Sequence, residues 1–192
     1  MSSSSMRSPF WIATAVAIPV MILAGYGVYQ GLASSTSLPE EDETPVDDSP
    51  VSVEMPVIGD DETAVICRAL LAQSPDEVVD HEARGIEPAG DEDADGISEV
   101  AAAWGDPALV MRCGVDEVEV ADTDVVYQWG ETCWAVEEGD DADVWTSLDR
   151  QVPVEVMVPA AYEQSGELVS VLSPVVGEAV PASDEAPSGC GD

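Results

Sequence analysis

Lysine is missing from all 192 residues, and five arginines with one histidine make up the rest of the basic complement. Against them stand 40 acidic side chains, for a formal net charge of -35. Such a chain repels phosphate backbones and anionic headgroups, which excludes nucleic-acid partners and binding to acidic lipid surfaces. The single histidine, His81, falls in a polar stretch and reads as a solvated surface residue, leaving a cysteine nucleophile no evident partner base. No cysteine precedes Cys67, so a lipidated N-terminal cysteine is excluded. The cysteines form no close C-x-x-C pair of the kind a zinc site needs. A phosphate-binding loop, a G-x-S-x-G elbow and an H-E-x-x-H helix are all lacking, so the sequence assigns no catalytic residue and predicts no cofactor.

Charge is also missing locally. Between Arg7 and Glu40 no side chain is formally charged, and Phe10 to Leu32 forms an apolar run of 23 residues. About 20 apolar residues in a helix cross the hydrocarbon core. Trp11, Tyr26 and Tyr29 fall where aromatic rings favour the headgroup boundary, and membrane helices tolerate a central proline such as Pro19. Residues 10–32 are therefore predicted to be a single transmembrane signal-anchor helix. Arg7 keeps residues 1–9 in the cytoplasm and places the remainder outside. Gly31-Leu32-Ala33 also offers small residues to a signal peptidase, and cleavage after Ala33 would make the protein secreted. The run exceeds the roughly 7–15 apolar residues of a signal peptide, which favours the plasma-membrane anchor.

All the carboxylates follow the anchor. Four outer arginines against 40 acids leave -36 on that portion. Because the acids are spread throughout, they read as halophilic adaptation of a solvated surface, stabilised where salt screens self-repulsion.

Residues 33–50 combine serine, proline and acids with almost no apolar content, the composition of a disordered linker. Residues 51–180 are enough for one domain. Val51, Val53 and Met55 alternate as a short strand that Pro56 ends. Asp60 or Asp61 caps a helix running to Ala72, with Val65 or Ile66, Ala69 and Leu70 on its apolar face and Cys67 and Leu71 alongside. Residues 74–97 read as a long acidic loop with at most a short strand at Val78-Val79. Short β-like runs follow at 100–104, 108–114, 125–129, 133–136, 144–146 and 152–158, with hairpin connections at 105–107 and 138–141. Trp104, Trp129, Trp134 and Trp145 sit in or beside these runs and read as core rather than as a sugar platform. Val152, Val154, Val156 and Val158 alternate strictly, as in a half-buried antiparallel strand. Ser173-Pro174 is an N-cap signature opening a C-terminal helix to about Val180. Residues 181–192 read as a disordered tail. The predicted class is α+β: a small antiparallel sheet carrying an N-terminal and a C-terminal helix.

Cys67, Cys113, Cys133 and Cys190 all lie in the predicted oxidising compartment, and an even count there implies disulfides with three possible pairings. Asp91, Asp93 and Asp95, followed by Gly96, match the first half of a D-x-D-x-D-G calcium loop. Ser98 and Ala102 fail its second half, so a solvated acidic loop is the simpler reading and the three aspartates are only a weak metal candidate.

The stretch Trp104-Gly105-Asp106-Pro107 to Arg112-Cys113-Gly114-Val115 resembles the W-G-x-P-x-x-x-x-R-C-G-V signature of the actinobacterial envelope family known as domain of unknown function 3515. Cys67-Arg68-Ala69-Leu70 upstream, and Trp145-Thr146, Arg150 and Val154 to Pro159 downstream, follow in the expected order. The resemblance implies a secreted or single-pass envelope protein spanning about 51–180, and a Cys67–Cys113 bridge. Cys133 and Cys190 are additions to that pattern. Arg112 is then a rare cation beside the core, an ion-pair partner for a carboxylate or, in the sharper alternative, a ligand-binding arginine. The expected function is a non-enzymatic binding or scaffold domain tethered to the plasma membrane, whose partner is an envelope protein or ligand. The alternatives are a small-ligand or divalent-cation binding module and an envelope-polymer hydrolase.

Overall fold

The computed structural model describes residues 49–90 and 96–190. The predicted membrane segment 10–32, the linker up to residue 48 and the weak metal candidates Asp91, Asp93 and Asp95 lie outside the described residues. Among the described residues no helix is long and apolar enough to cross a membrane.

In chain order the elements are β1 (Val51–Val53), α1 (Asp61–Leu71), β2 (Glu77–Val78), β3 (His81–Arg84), β4 (Ile86–Pro88), a 3-10 turn (Ile97–Glu99), β5 (Ala101–Trp104) and β6 (Leu109–Cys113). There follow β7 (Tyr127–Trp129), β8 (Thr132–Glu137), β9 (Ala142–Ser147), β10 (Val154–Pro159) and α2 (Ser165–Ala179). Eight strands form one antiparallel sheet in the order β2-β3-β5-β6-β10-β9-β8-β7, while β1 and β4 pair parallel as a separate ribbon. The fold is α+β with two helices, and its sheet is larger than the short runs in the sequence suggested. Residues 74–97 supply β2, β3 and β4 rather than a plain loop.

Alternation places the core. In β10, Val154, Val156 and Val158 are fully buried; Val156 pairs with Met111 on one side and Trp145 on the other. These side chains, with Leu109, Trp104 and Trp134, face the helices, which contribute Cys67, Leu70, Leu168, Val169, Leu172 and Val176. Each fully buried large apolar side chain contributes about 1.5–3 kcal/mol. On the opposite face, Val53 of the ribbon, Ile97 and Ala101 form a smaller core over the β5–β6 half.

Asp60 caps α1: its carboxylate accepts from the Thr63 amide at 2.8 Å, which holds the Asp60 carboxyl below the ordinary 3.8 of an aspartate. The buried face of α1 centres on Cys67 and Leu70, while Val65 and Ala69 face outward. The helix is rotated from the predicted face because Cys67 is bonded to Cys113 in the centre of the sheet, with Cα atoms 5.5 Å apart.

Helix α2 begins eight residues before the Ser173-Pro174 signature, and Pro174 lies inside it. An interior proline costs about 3 kcal/mol. Burial of Leu168, Val169, Leu172 and Val176 outweighs that cost. Ser173 is no cap: its hydroxyl donates to the Val169 carbonyl at 2.8 Å and accepts from the Trp134 indole at 2.9 Å. The described part of the tail, despite its composition, is joined to the domain. The Ser183 amide donates to the Asp149 carbonyl at 2.8 Å, and Cys190 is bonded to the fully buried Cys133. Closing loops of 46 and 57 residues, the two disulfides each stabilise by up to about 4 kcal/mol on chain-entropy grounds.

Candidate functional site

The signature stretch has a structural duty at nearly every position. Trp104 is fully buried and its indole donates to the Pro75 carbonyl at 2.8 Å. Gly105 has φ +71°, and a Cβ there would stand 2.9 Å from the Tyr162 hydroxyl and 3.1 Å from the His81 ring. Pro107 follows a cis peptide bond, and its carbonyl accepts from the Tyr162 hydroxyl at 2.6 Å. His81 is therefore no free surface residue: it is half-buried, with its ring 4.8 Å from that of Tyr162. Burial first, and then the nearby Asp106 charge, push the Tyr162 hydroxyl above its usual range, while Arg84 opposes them. Gly114, at φ +86°, lets Ile58 close over the strand end; a Cβ would collide with it.

Arg112 points to the face of the sheet away from the helices. Its guanidinium donates to Glu155 at 2.6 and 3.0 Å, and to the Glu54 carbonyl at 3.2 Å. This arginine is engaged as the partner of a carboxylate and ties the β1–β4 ribbon to the sheet.

Arg150 is the buried cation, and its position in the core was not legible in the sequence. It and Asp149 are each 7% exposed. The guanidinium holds Asp149 at 3.1 Å, donates to the Glu131 carbonyl, and reaches the carbonyls of Gly177 and Val180 at the end of α2 at 3.3 and 3.2 Å. Those orphan carbonyls are the negative pole of the helix, where a cation is favoured. All four outer arginines, Arg68, Arg84, Arg112 and Arg150, have a carboxylate within 4 Å. The remaining acids leave a surface of one sign.

A concave feature lies on the face opposite the helices, beyond the ribbon. Glu155, Thr146 and Ala135 stand in register across β10, β9 and β8, and Val144 opposite Glu137 forms the next row. Ala135, Thr146 and Val144 are small, so they leave room above the sheet. The chain from Val118 to Val125 borders that space and forms one wall of a half-open groove of about 650 Å³. A turn shapes this wall, with the Ala121 amide donating to Asp124 at 2.8 Å. The tail braces it, with the Ser188 hydroxyl donating to Asp122 at 2.7 Å. A second cavity, of about 300 Å³, separates residues 117–120 from the chain between Ser183 and Pro187.

Seven large hydrophobic side chains are exposed among the described residues, and two of them, Val118 (47%) and Val125 (70%), stand over this groove; the Tyr127 ring packs at its edge against Trp129 and Trp145, 5.9 and 5.2 Å between centroids, on the helix side of the sheet. Glu119, Glu137 and Glu138 border the groove. Sequence reasoning missed the groove because its lining comes from three strands and an irregular segment. Val125, the start of a predicted strand, is instead part of the wall, and β7 begins at Tyr127.

Cys67 stands at disulfide distance from Cys113, and Cys133 from Cys190, far from the groove floor in role: they fix α1 and the tail. Among the described residues no group of three histidine, cysteine or acidic side chains is placed to hold a metal ion. Three of the four outer tryptophans are buried, whereas Trp129 is half-buried and tilts against Trp145, 5.1 Å between rings.

Two helices on one face of a disulfide-stapled antiparallel sheet, and a groove of mixed apolar and acidic lining on the other, define an α+β domain. The chain belongs to the family of proteins of unknown function DUF3515, whose model matches residues 15–185. No curated protein and no solved structure shows a significant match to it.

Proposed function

We propose that this protein is a single-pass, membrane-anchored extracytoplasmic domain that binds another cell-envelope component through the groove between residues 118–125 and the β8–β10 face, without chemistry of its own. The observation that carries the reading is that the exposed side chains of Val118 and Val125 meet over one concavity of the sheet. The uncharged run 10–32 supports the anchor, and the family match begins inside that run, at residue 15. Two cysteine pairs fit an oxidising compartment. The signature residues support the same reading from the other side: they are spent on indole, carbonyl, ion-pair and disulfide contacts that hold the scaffold.

The test is in-cell crosslinking of the full chain, comparing wild type with the Val118→Ser/Val125→Ser double variant. Wild type gives discrete crosslinked species in the membrane fraction, and the variant loses them while its melting temperature holds. Unchanged crosslinks in the variant refute the groove as the binding surface. The mass of the mature N-terminus tests the anchor, since cleavage after Ala33 would leave a secreted domain.

A further inference from the structure

The groove has a charge pattern that selects among occupants. Ala135, Thr146 and Val144 form the middle of its floor between Glu155 and Glu137, Val118 and Val125 overhang it, and Glu119 and Glu138 stand around it. No arginine or histidine lines it among the described residues, and Arg112 neutralises only Glu155 at one end. In a chain this acidic, carboxylates border most surfaces and alone mark no site. Here they stand beside the exposed Val118 and Val125.

A groove with valines over it and carboxylates along it repels two of its conceivable occupants. The protein's own linker, 33–50, carries six carboxylates and no cation. A second copy brings an equally acidic outer portion. Resting on the groove being the docking surface proposed above, we infer that its occupant is an extended, cationic segment of a partner protein in which apolar residues alternate with lysine or arginine. Side chains on one side of an extended strand recur about every 6.5–7 Å. Alternate apolar residues then enter the groove, and the long stems of the intervening cations bend to the carboxylates at its border. The charges set the specificity and the association rate, and the valines supply the apolar contact.

The experiment is fluorescence anisotropy of the full-length protein in a neutral detergent with labelled ten-residue peptides. The Val-Lys alternating peptide binds saturably, and the Val-Glu and Ser-Lys alternating peptides bind at least about tenfold more weakly. Glu119→Gln/Glu137→Gln/Glu138→Gln and Val118→Ser/Val125→Ser each weaken the Val-Lys peptide about tenfold. Neutralising three carboxylates elsewhere, with Asp61→Asn/Glu62→Gln/Glu178→Gln, leaves binding unchanged. Equal weakening by both triple variants means nonspecific attraction and overturns the inference, as does a concentration-dependent dimer lost in the valine variant. If no peptide binds while the valine variant still loses its crosslinks in cells, the groove reading stands and the cationic occupant is refuted. If both measurements fail, both readings fall.

Discussion

Removing the Arg150 guanidinium strands several groups at once. In Arg150→Ala, Asp149 keeps only the Cys133 amide, 3.0 Å from its carboxylate, as a donor, and it remains in a site that is 7% exposed. The carbonyls of Gly177 and Val180 lose a charged donor at the end of α2, and the Glu131 carbonyl at the β7–β8 turn loses one too. Breaking one half of a buried ion pair costs about 3–5 kcal/mol, chiefly through the uncompensated charge left behind. For a domain of this size each kcal/mol shifts Tm by about 3–4 °C, so Tm falls by about 9–20 °C. Thermal unfolding of the full chain, followed by near-ultraviolet circular dichroism, measures it. Arg150→Lys keeps the charge but not the fork and falls between wild type and Arg150→Ala. The double variant Asp149→Leu/Arg150→Met recovers more than half the loss, because no orphan charge remains. A loss under about 1 kcal/mol in Arg150→Ala, or a double variant worse than the single, refutes the reasoning. Arg68 provides the contrast: its partner Glu99 is also exposed, at 2.9 Å, and Arg68→Ala shifts Tm by no more than about 3–4 °C.

The surplus of carboxylates over paired arginines predicts that Tm rises as salt is raised from about 0.05 M to about 1 M, where screening relieves self-repulsion; a flat or falling Tm contradicts it. Tyr162 governs the alkaline limb. Its folded-state pKa lies above the ordinary 10.0, so between the unfolded and folded values the unfolded chain binds fewer protons and stability falls as pH rises through about 10. Tyr162→Phe flattens that limb while losing the bond to Pro107, about 1 kcal/mol at neutral pH; urea unfolding at several pH values separates the two effects.

The parts of the fold that were legible are those with a local cause. The alternation of Val154, Val156 and Val158 follows from a strand with one buried face, and Asp60 shows its capping role through the amide three residues on. Ser173-Pro174 misled because a cap signature and an interior proline look alike until the tertiary burial of Leu168 to Val176 is known. Strands β2, β3 and β4 were hidden because they are two to four residues long and rich in glutamate. The charged partner of Arg112 was anticipated, but the burial of Arg150 was not, since no local pattern separates a core arginine from a surface one. The groove was illegible for a different reason. Ala135, Thr146 and Val144 are unremarkable strand residues, and only register and the crossing of residues 118–125 turn them into a floor.

The disulfide pattern bears on how the chain is made. Cys67 joins Cys113 and Cys133 joins Cys190, so the closed loops follow one another along the sequence without overlapping. In a polypeptide delivered N-terminus first, each cysteine that needs a partner meets it as the next cysteine to emerge. Oxidation in order of arrival thus yields the native pairs directly.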